Sequence, residues 1–367
     1  MEMGSNGGDR VALVVGVGLI GGSIGQRLRA SGWTVLGRDR STALIDRAIA
    51  LGAIDAAAPE GFVSDVELTF VATPVSAIAD EVAMALRETA GLVTDVGSVK
   101  TPLLSLMDDP RFIGGHPMAG SEQEGVDGAR PDLFEGRTWV LTPLPTSDDD
   151  ALAQLRGIVA GFGAEVVSLS PERHDSMVAI VSHVPHLTAA SLMGLADERS
   201  SEHRGLMRLA AGGFRDMTRI AASHPGIWPA ICNENRDAIV PELDRLISVL
   251  SDVRRIVADG DRDALVAILE RARSARLALP ARFARPEDLA ELRIPVADQK
   301  GALAGITMIA TELDVSIADI EIAHSVEGDE GVVILLVEAA NGTRLRDGLI
   351  DRGYRAVVRS LDGSEDR

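Results

Sequence analysis

The sequence predicts an α/β domain built on a parallel, doubly wound sheet, then an all-α domain, then a small α+β domain. Three observations carry that reading. Residues 10–171 alternate strand-like apolar runs with helix-like runs, which implies βαβ units. Residues 172–282 show apolar residues at helical spacing and no confident strand. Residues 290–361 return to mixed strands and helices in the order βαββαβ, a ferredoxin-like unit.

The strands of the first domain are VALVVGV (11–17), WTVLGRD (33–39), LTFVATP (68–74), GLVTDVG (91–97), FIGGHP (112–117) and TWVLTP (138–143). Helical runs such as STALIDRAIALG and SAIADEVAMALRE fall between them, and EVVSLSPERHD (165–175) reads as a last strand leading into something different. MVAIVSHVPHLTAASLMGLA, PELDRLISVLSDVRRIVADG and RDALVAILERARSARLALP are the helices of the second domain. Their long apolar faces exceed what one small bundle needs, so a homodimer formed there is expected. PARFARPEDL (280–289) carries two prolines and reads as a linker. In the last domain ELRIPVAD, SIADIEIAHSV, GVVILLVEAA and YRAVVRSL read as strands, and KGALAGITMIATELD and RLRDGLIDRG as helices.

The net charge of −19 opposes general nucleic-acid or membrane binding, because phosphate-rich surfaces attract the opposite sign. A single cysteine, Cys232, makes neither an internal disulfide nor a zinc cluster, which fits a reducing cytoplasm. The N-terminus has no basic start and no long apolar run, so no signal peptide is expected. No stretch approaches the ~20 apolar residues that span a bilayer.

The string GVGLIGGSIG (16–25) places a GxGxxG loop between a strand and a helix, the context of a Rossmann-type dinucleotide site. Gly16 would allow the tight turn, Gly18 the approach of a pyrophosphate, and Gly21 close helix packing, with Leu19 and Ile20 between them. The helix start favours phosphate charge through its free N–H groups. Asp39 ends the next strand, where a carboxylate would accept from the adenosine ribose hydroxyls and favour NAD. Arg38 and Arg40 flank it, so NADP stays as the alternative, a guanidinium being able to welcome a 2′-phosphate.

Ligands of open α/β sheets bind at the carboxyl ends of the strands, and the later strands end in polar marks. These are Thr73-Pro74, then Asp95 through Lys100 with Ser98 among them, then Gly115-His116-Pro117 leading to Ser121 and Glu122. Taken singly, each could be a cap or a plain loop. In the helical domain SHVPH sets His183 and His186 three apart, with too few further ligands for a metal. AGGFRDMTRI sets Gly212, Arg215 and Arg219 close together, followed by Trp228. Arginine is the natural fork for a carboxylate, although both arginines could simply pair with nearby acids.

VVGVGLIGGSIG, VATPV, TDVGSVK, GGHPMAGSE, SHVPHL and GGFRDMTRIA together resemble the prephenate dehydrogenase family, which includes arogenate dehydrogenases. The resemblance runs from about residue 10 to 280, and GGHPMAGSE and GGFRDMTRI are its specific parts. The tail VADQKGALAGITMIATELDVSIADIEIAH resembles an ACT domain, a class that usually binds amino acids. The resemblance implies NAD-dependent oxidative decarboxylation of prephenate in tyrosine biosynthesis, with tyrosine as an allosteric ligand of the tail. It makes His116 the catalytic base, with Ser98 orienting it and supporting the substrate hydroxyl. Arg219 becomes the carboxylate clamp, and His186, Ser121, Glu122, Gly212 and Trp228 line the substrate pocket. Gly16, Gly18, Leu19, Ile20, Gly21, Asp39, Thr73 and Pro74 become the NAD site.

Arogenate dehydrogenase is the alternative activity, with Glu122 placed to receive an ammonium. A non-catalytic amino-acid sensor is the other, opposed by the intact Ser98, His116 and Arg219 set. Dehydrogenases that use a lysine of the helical domain are disfavoured, because residues 101–299 contain no lysine.

Overall fold

The computed structural model describes residues 10–104, 108–120, 123, 125–200, 203, 205–279, 289–297, 301–324 and 330–360. By packing, the chain divides into two compact units, one up to Ser248 and one from Val249 onward. The division falls inside one long helix.

The first unit begins with β1 (Val11–Val15), α1 (Leu19–Ala30), β2 (Thr34–Arg38), α2 (Thr42–Ala50) and β3 (Ala56–Ala57). It continues with β4 (Val66–Val71), α3 (Val75–Glu88), β5 (Leu92–Asp95), α4 (Thr101–Leu104) and β6 (Phe112–Pro117). Then follow β7 (Thr138–Thr142), α5 (Asp149–Gly161) and β8 (Glu165–Ser168). The eight strands form one sheet in the order β3-β2-β1-β4-β5-β6-β7-β8. The change of direction after β1 brings the ends of β1 and β4 side by side at the carboxyl edge.

Helices cover both faces, so strand residues are buried in alternation to either side. Ala12, Val14, Leu68 and Phe70 enter one core, and Leu13, Val15, Val71 and Val93 the other. Aromatics are few in this chain, yet Phe70, Phe134, Trp139 and Phe162 meet in one cluster with ring centroids 5.0–6.2 Å apart. Each buries enough surface to contribute about 1.5–3 kcal/mol.

The sheet is not parallel throughout, which corrects the expectation. β6 and β7 pair antiparallel, Gly114 against Thr142. Among the described residues of the segment between them the one helical element is a 3-10 turn at Val126–Gly128, and the chain returns beside β6 in the opposite direction. β7, α5 and β8 form a crossover again, and β8 is parallel to β7.

The described residues after β8 and up to 279 contain only helices and turns. These are α6 (Pro171–Val178), a π-helical turn (Ala179–His183), α7 (Val184–Ser200), α8 (Gly212–Thr218), α9 (Trp228–Glu234), α10 (Arg236–Asp259) and α11 (Arg262–Leu277). The first three are continuous, and as one run from Pro171 to Ser200 they are long and apolar enough, by length and composition, to cross a membrane. Within that run His174, Asp175, His183 and His186 are buried.

The second unit holds β9 (Leu289–Ala297), α12 (Ala302–Glu312), β10 (Ile317–His324), β11 (Glu330–Glu338), α13 (Ala339–Ile350) and β12 (Val357–Ser360). Its sheet is antiparallel with the order β10-β11-β9-β12. Leu292, Ile294, Leu335 and Val337 of the sheet pack on Ile306, Ile309, Leu345 and Leu349 of the two helices.

Candidate active site

The carboxyl ends of β1, β2, β4, β5 and β6 lie along one edge of the sheet, because these strands are mutually parallel. At the end of β1, Gly16 adopts φ +88°, and its N–H donates to the Arg38 carbonyl at 2.7 Å. A Cβ on Gly16 would lie 2.6 Å from the Ala72 carbonyl oxygen, and one on Gly21 would run into the Gly16 carbonyl oxygen. Gly18 has nothing within 4 Å of a Cβ and caps α1 without any side-chain hydrogen bond. Two glycines are thus required by the turn, and the third leaves an open approach to a helix N-terminus that carries Leu19 and Ile20.

Asp39 is held by its own loop, accepting from Val17 N at 3.2 Å and Ser41 N at 3.0 Å. Arg38 is committed to Glu88 by a 2.6 Å ion pair, and both partners are mostly shielded. Arg40 is exposed. At the end of β4 the Thr73 hydroxyl is buried without a partner, and Pro74 begins α3. The cradle and the orphaned hydroxyl fit a dinucleotide.

At the ends of β5 and β6 the charges are buried. Lys100 and Asp95 form an ion pair with no exposed surface on either side chain. Asp95 also accepts from Gly97 N at 2.8 Å and Gly115 N at 3.2 Å. Burial pulls the Lys100 ammonium below its usual pKa, and Asp95 works against that shift. The two glycines before His116 make room for the pair. A Cβ on Gly115 would lie 2.7 Å from the Asp95 carbonyl oxygen, and one on Gly114 would press on the Thr142 hydroxyl and the Lys100 stem.

His116 closes β6 and is buried, with 9 % of its surface exposed. Its Nδ1 lies 2.8 Å from Nε2 of His174, and Nδ1 of His174 lies 2.7 Å from Asp175. Asp175 accepts in turn from the backbone N–H groups of Lys100 at 2.8 Å and Thr101 at 2.7 Å. Burial, then the neighbouring His174, Lys100 and His183, hold His116 well below the usual histidine pKa. Burial alone would raise the Asp175 carboxyl, but the hydrogen bonds from His174, Thr101 and Lys100 hold it below the usual range.

The helical segment supplies the other wall. Asn235 donates from Nδ2 to the Asp175 carbonyl at 3.0 Å and to Nδ1 of His183 at 3.1 Å. Burial drops the His183 pKa to about 4. His186 stacks on Trp228 with centroids 3.5 Å apart and planes 12° from parallel, while His183 meets the same indole edge-on at 6.2 Å. The indole Nε1 of Trp228 is buried and unpartnered. The π turn widens the helix between His174 and His186, so that both are buried from one continuous run.

Arg219 is exposed and pairs with no acid among the described residues. Arg215 instead donates to the Ala210 carbonyl at 3.0 Å. Gly212 opens α8 with free space around it. Ser98 sits half-buried in the Asp95–Lys100 loop and makes no hydrogen bond to His116, whose ring partner is His174. Ser121 and Glu122 lie outside the described residues. The sequence reading did not single out His174, Asp175 and Asn235. The one sequence signal was the acid directly after a histidine in PERHD.

Two family models match this chain: the prephenate dehydrogenase nucleotide-binding domain over residues 24–168, and its dimerization domain over 170–271. A prephenate dehydrogenase of Bacillus subtilis (strain 168) is 36 % identical over 88 % of this chain and 90 % of its own length. A cyclohexadienyl dehydrogenase of Zymomonas mobilis is 34 % identical over 72 % of this chain and 94 % of its own. Among solved structures, prephenate dehydrogenase of A. aeolicus in complex with hydroxyphenyl propionate and NAD+ is 29 % identical with a TM-score of 0.69, covering 75 % of this chain and 100 % of that one. Synechocystis arogenate dehydrogenase is 28 % identical with a TM-score of 0.64, covering 72 % and 98 %. This chain belongs to the prephenate dehydrogenase family.

Proposed function

We propose that the protein oxidatively decarboxylates prephenate to 4-hydroxyphenylpyruvate, with His116 as the base and NAD as the cofactor. The observation that carries this is His116 itself, a buried, neutral imidazole at the end of β6 on the edge that also holds the glycine cradle. The cofactor, when bound, accepts the hydride from the carbinol carbon of the ring. Gly16, Gly18, Gly21, Leu19 and Ile20 would hold its pyrophosphate, Thr73 and Pro74 would flank it, and Asp39 would take the ribose hydroxyls. Arg38 is occupied by Glu88, which supports NAD over its 2′-phosphorylated form.

His116 takes the hydroxyl proton as the carbonyl forms, and the ring carboxylate leaves as CO₂ with aromatisation. A strongly lowered pKa makes His116 available as a base but a weak one. The two substrate carboxylates offset this as they enter, since a nearby negative charge favours the imidazolium. Arg219, exposed and without an acid partner among the described residues, clamps a carboxylate. His186 stacked on Trp228, with Gly212, Ser121 and Glu122, forms the rest of the pocket, and Ser98 supports the substrate hydroxyl.

NADH absorbance with prephenate and with arogenate tests the reading. A higher kcat/KM for prephenate is expected. A preference for arogenate would make the protein an arogenate dehydrogenase, and no turnover of either would return it to a sensor.

The domains are assigned as 10–171 for NAD, 172–282 for substrate and dimerisation, and 290–361 as an ACT domain. The βαββαβ order and the β10-β11-β9-β12 sheet support the last. Exposed Ile180, Val181, Leu195, Val240 and Ile247 on the helices support a homodimer that covers them. Sedimentation should give twice the chain mass. The tail is assigned tyrosine as an inhibitory ligand, and calorimetric titration of the full chain with tyrosine should show saturable binding. The single cysteine, Cys232, supports a reducing, cytoplasmic location.

A further inference from the structure

We propose that His174 and Asp175 are positioning residues that fix the tautomer of His116, keeping its proton on Nδ1 and its lone pair on Nε2. The inference rests on His116 being the base, and it follows from the direction of each hydrogen bond in a buried chain.

Asp175 receives backbone N–H donors on both oxygens, from Lys100 and from Thr101. Such a carboxylate is ionised and can only accept. The His174 nitrogen that faces it, Nδ1, therefore carries a proton. In a neutral ring the other nitrogen, Nε2, is then an acceptor. It faces Nδ1 of His116 at 2.8 Å, so the proton in that contact belongs to His116. His116 is left with an unprotonated Nε2.

The reverse tautomer would present an N–H to the substrate hydroxyl, which cannot remove a proton. As the substrate O–H bond breaks and an Nε2–H bond forms, His116 becomes an imidazolium. It still donates from Nδ1, and Asp175 balances the new charge through the intervening ring. The chain is rigidly seated. His174 is fully buried, and Asn235 ties the Asp175 carbonyl to His183. Lys100, buried nearby, is itself paired with Asp95.

The test uses the full chain labelled with ¹⁵N-histidine, with His116 assigned by loss of its signals in H116N. The wild-type protein is expected to show His116 protonated on Nδ1 at neutral pH, a reading that needs no substrate and so stands apart from the choice of prephenate. In D175N the amide donates where the carboxylate accepted, and the proton order along the chain reverses. His116 is expected to carry its proton on Nε2, with kcat falling about 10²–10⁴-fold, the scale of a misplaced catalytic tautomer. KM for prephenate and affinity for NAD should stay within about threefold, because neither residue touches either ligand.

H174Q, which can still accept from His116 and donate to Asp175, should keep more kcat than H174F. An Nε2-protonated His116 in the wild type, or D175N with kcat within about threefold of it, would overturn the proposal. Should D175N not fold, the wild-type spectrum and the H174Q–H174F pair decide.

Discussion

In the proposed reaction His116 is a shielded neutral base and Arg219 an exposed cation, and the two roles predict different kinetic losses. His116→Asn keeps the bulk of the ring but offers no basic nitrogen. It should lose most of kcat, on the scale of about 10²–10⁴-fold for general-base help, while NAD binding survives. Full turnover in that variant would remove His116 from the mechanism. Arg219→Ala should leave kcat nearly intact and raise KM for prephenate by roughly 10–100-fold, the equivalent of one charge-assisted hydrogen bond. An unchanged KM would count against the clamp. Lys100 needs a different reading. It is too enclosed to meet substrate, and its partner Asp95 is what makes its burial tolerable, because an unpaired buried charge costs about 3–5 kcal/mol.

At the scale of elements, the β1–α1 turn separates two roles that the glycine pattern alone merges. A side chain on Gly21 meets the Gly16 carbonyl and, at 3.0 Å, the Val14 side chain, so Gly21→Ala forces α1 away from the sheet. Overpacking of this kind costs about 1–3 kcal/mol, and Gly21→Ala should lower both the melting temperature and NAD affinity. Gly18→Ala meets nothing in the protein and has an ordinary extended φ of −75°. It should leave the melting temperature alone and weaken NAD only. Equal melting losses in the two variants would refute this division. β6 shows the same logic, since Gly114 and Gly115 let its backbone close over the Lys100–Asp95 pair and deliver His116 to the edge.

The whole molecule carries several histidines in places that disfavour their charge, which makes stability depend on pH. His183 has a folded pKa of about 4 against 6.5 in the open chain, with burial as the cause. Between those values the unfolded chain binds more protons, so stability is full above pH 6.5 and falls as pH drops toward 4. For His183 the loss is about 2 kcal/mol at pH 5. His116 is shifted in the same direction and adds to it. Urea unfolding should show a lower midpoint at pH 5 than at pH 7, and His183→Gln should flatten the difference. A midpoint independent of pH would show that these rings are not buried neutral.

The order of elements, the glycine cradle, the helical middle and the βαββαβ succession of the tail are legible in the chain's own pattern, because each rests on local periodicity and turn chemistry. That pattern also marked His116, His186, Trp228 and Arg219, whose motifs are contiguous. What holds them in place came from the packing of distant segments. The antiparallel return of β7 sets Thr142 against Gly114, and the His116–His174–Asp175 chain joins residues 58 positions apart. Asn235 reaches Asp175 from 60 residues away. Hydrogen bonds over such separations leave no pattern in sequence, because the periodicity of a strand or helix records which face is buried and not which partner waits there.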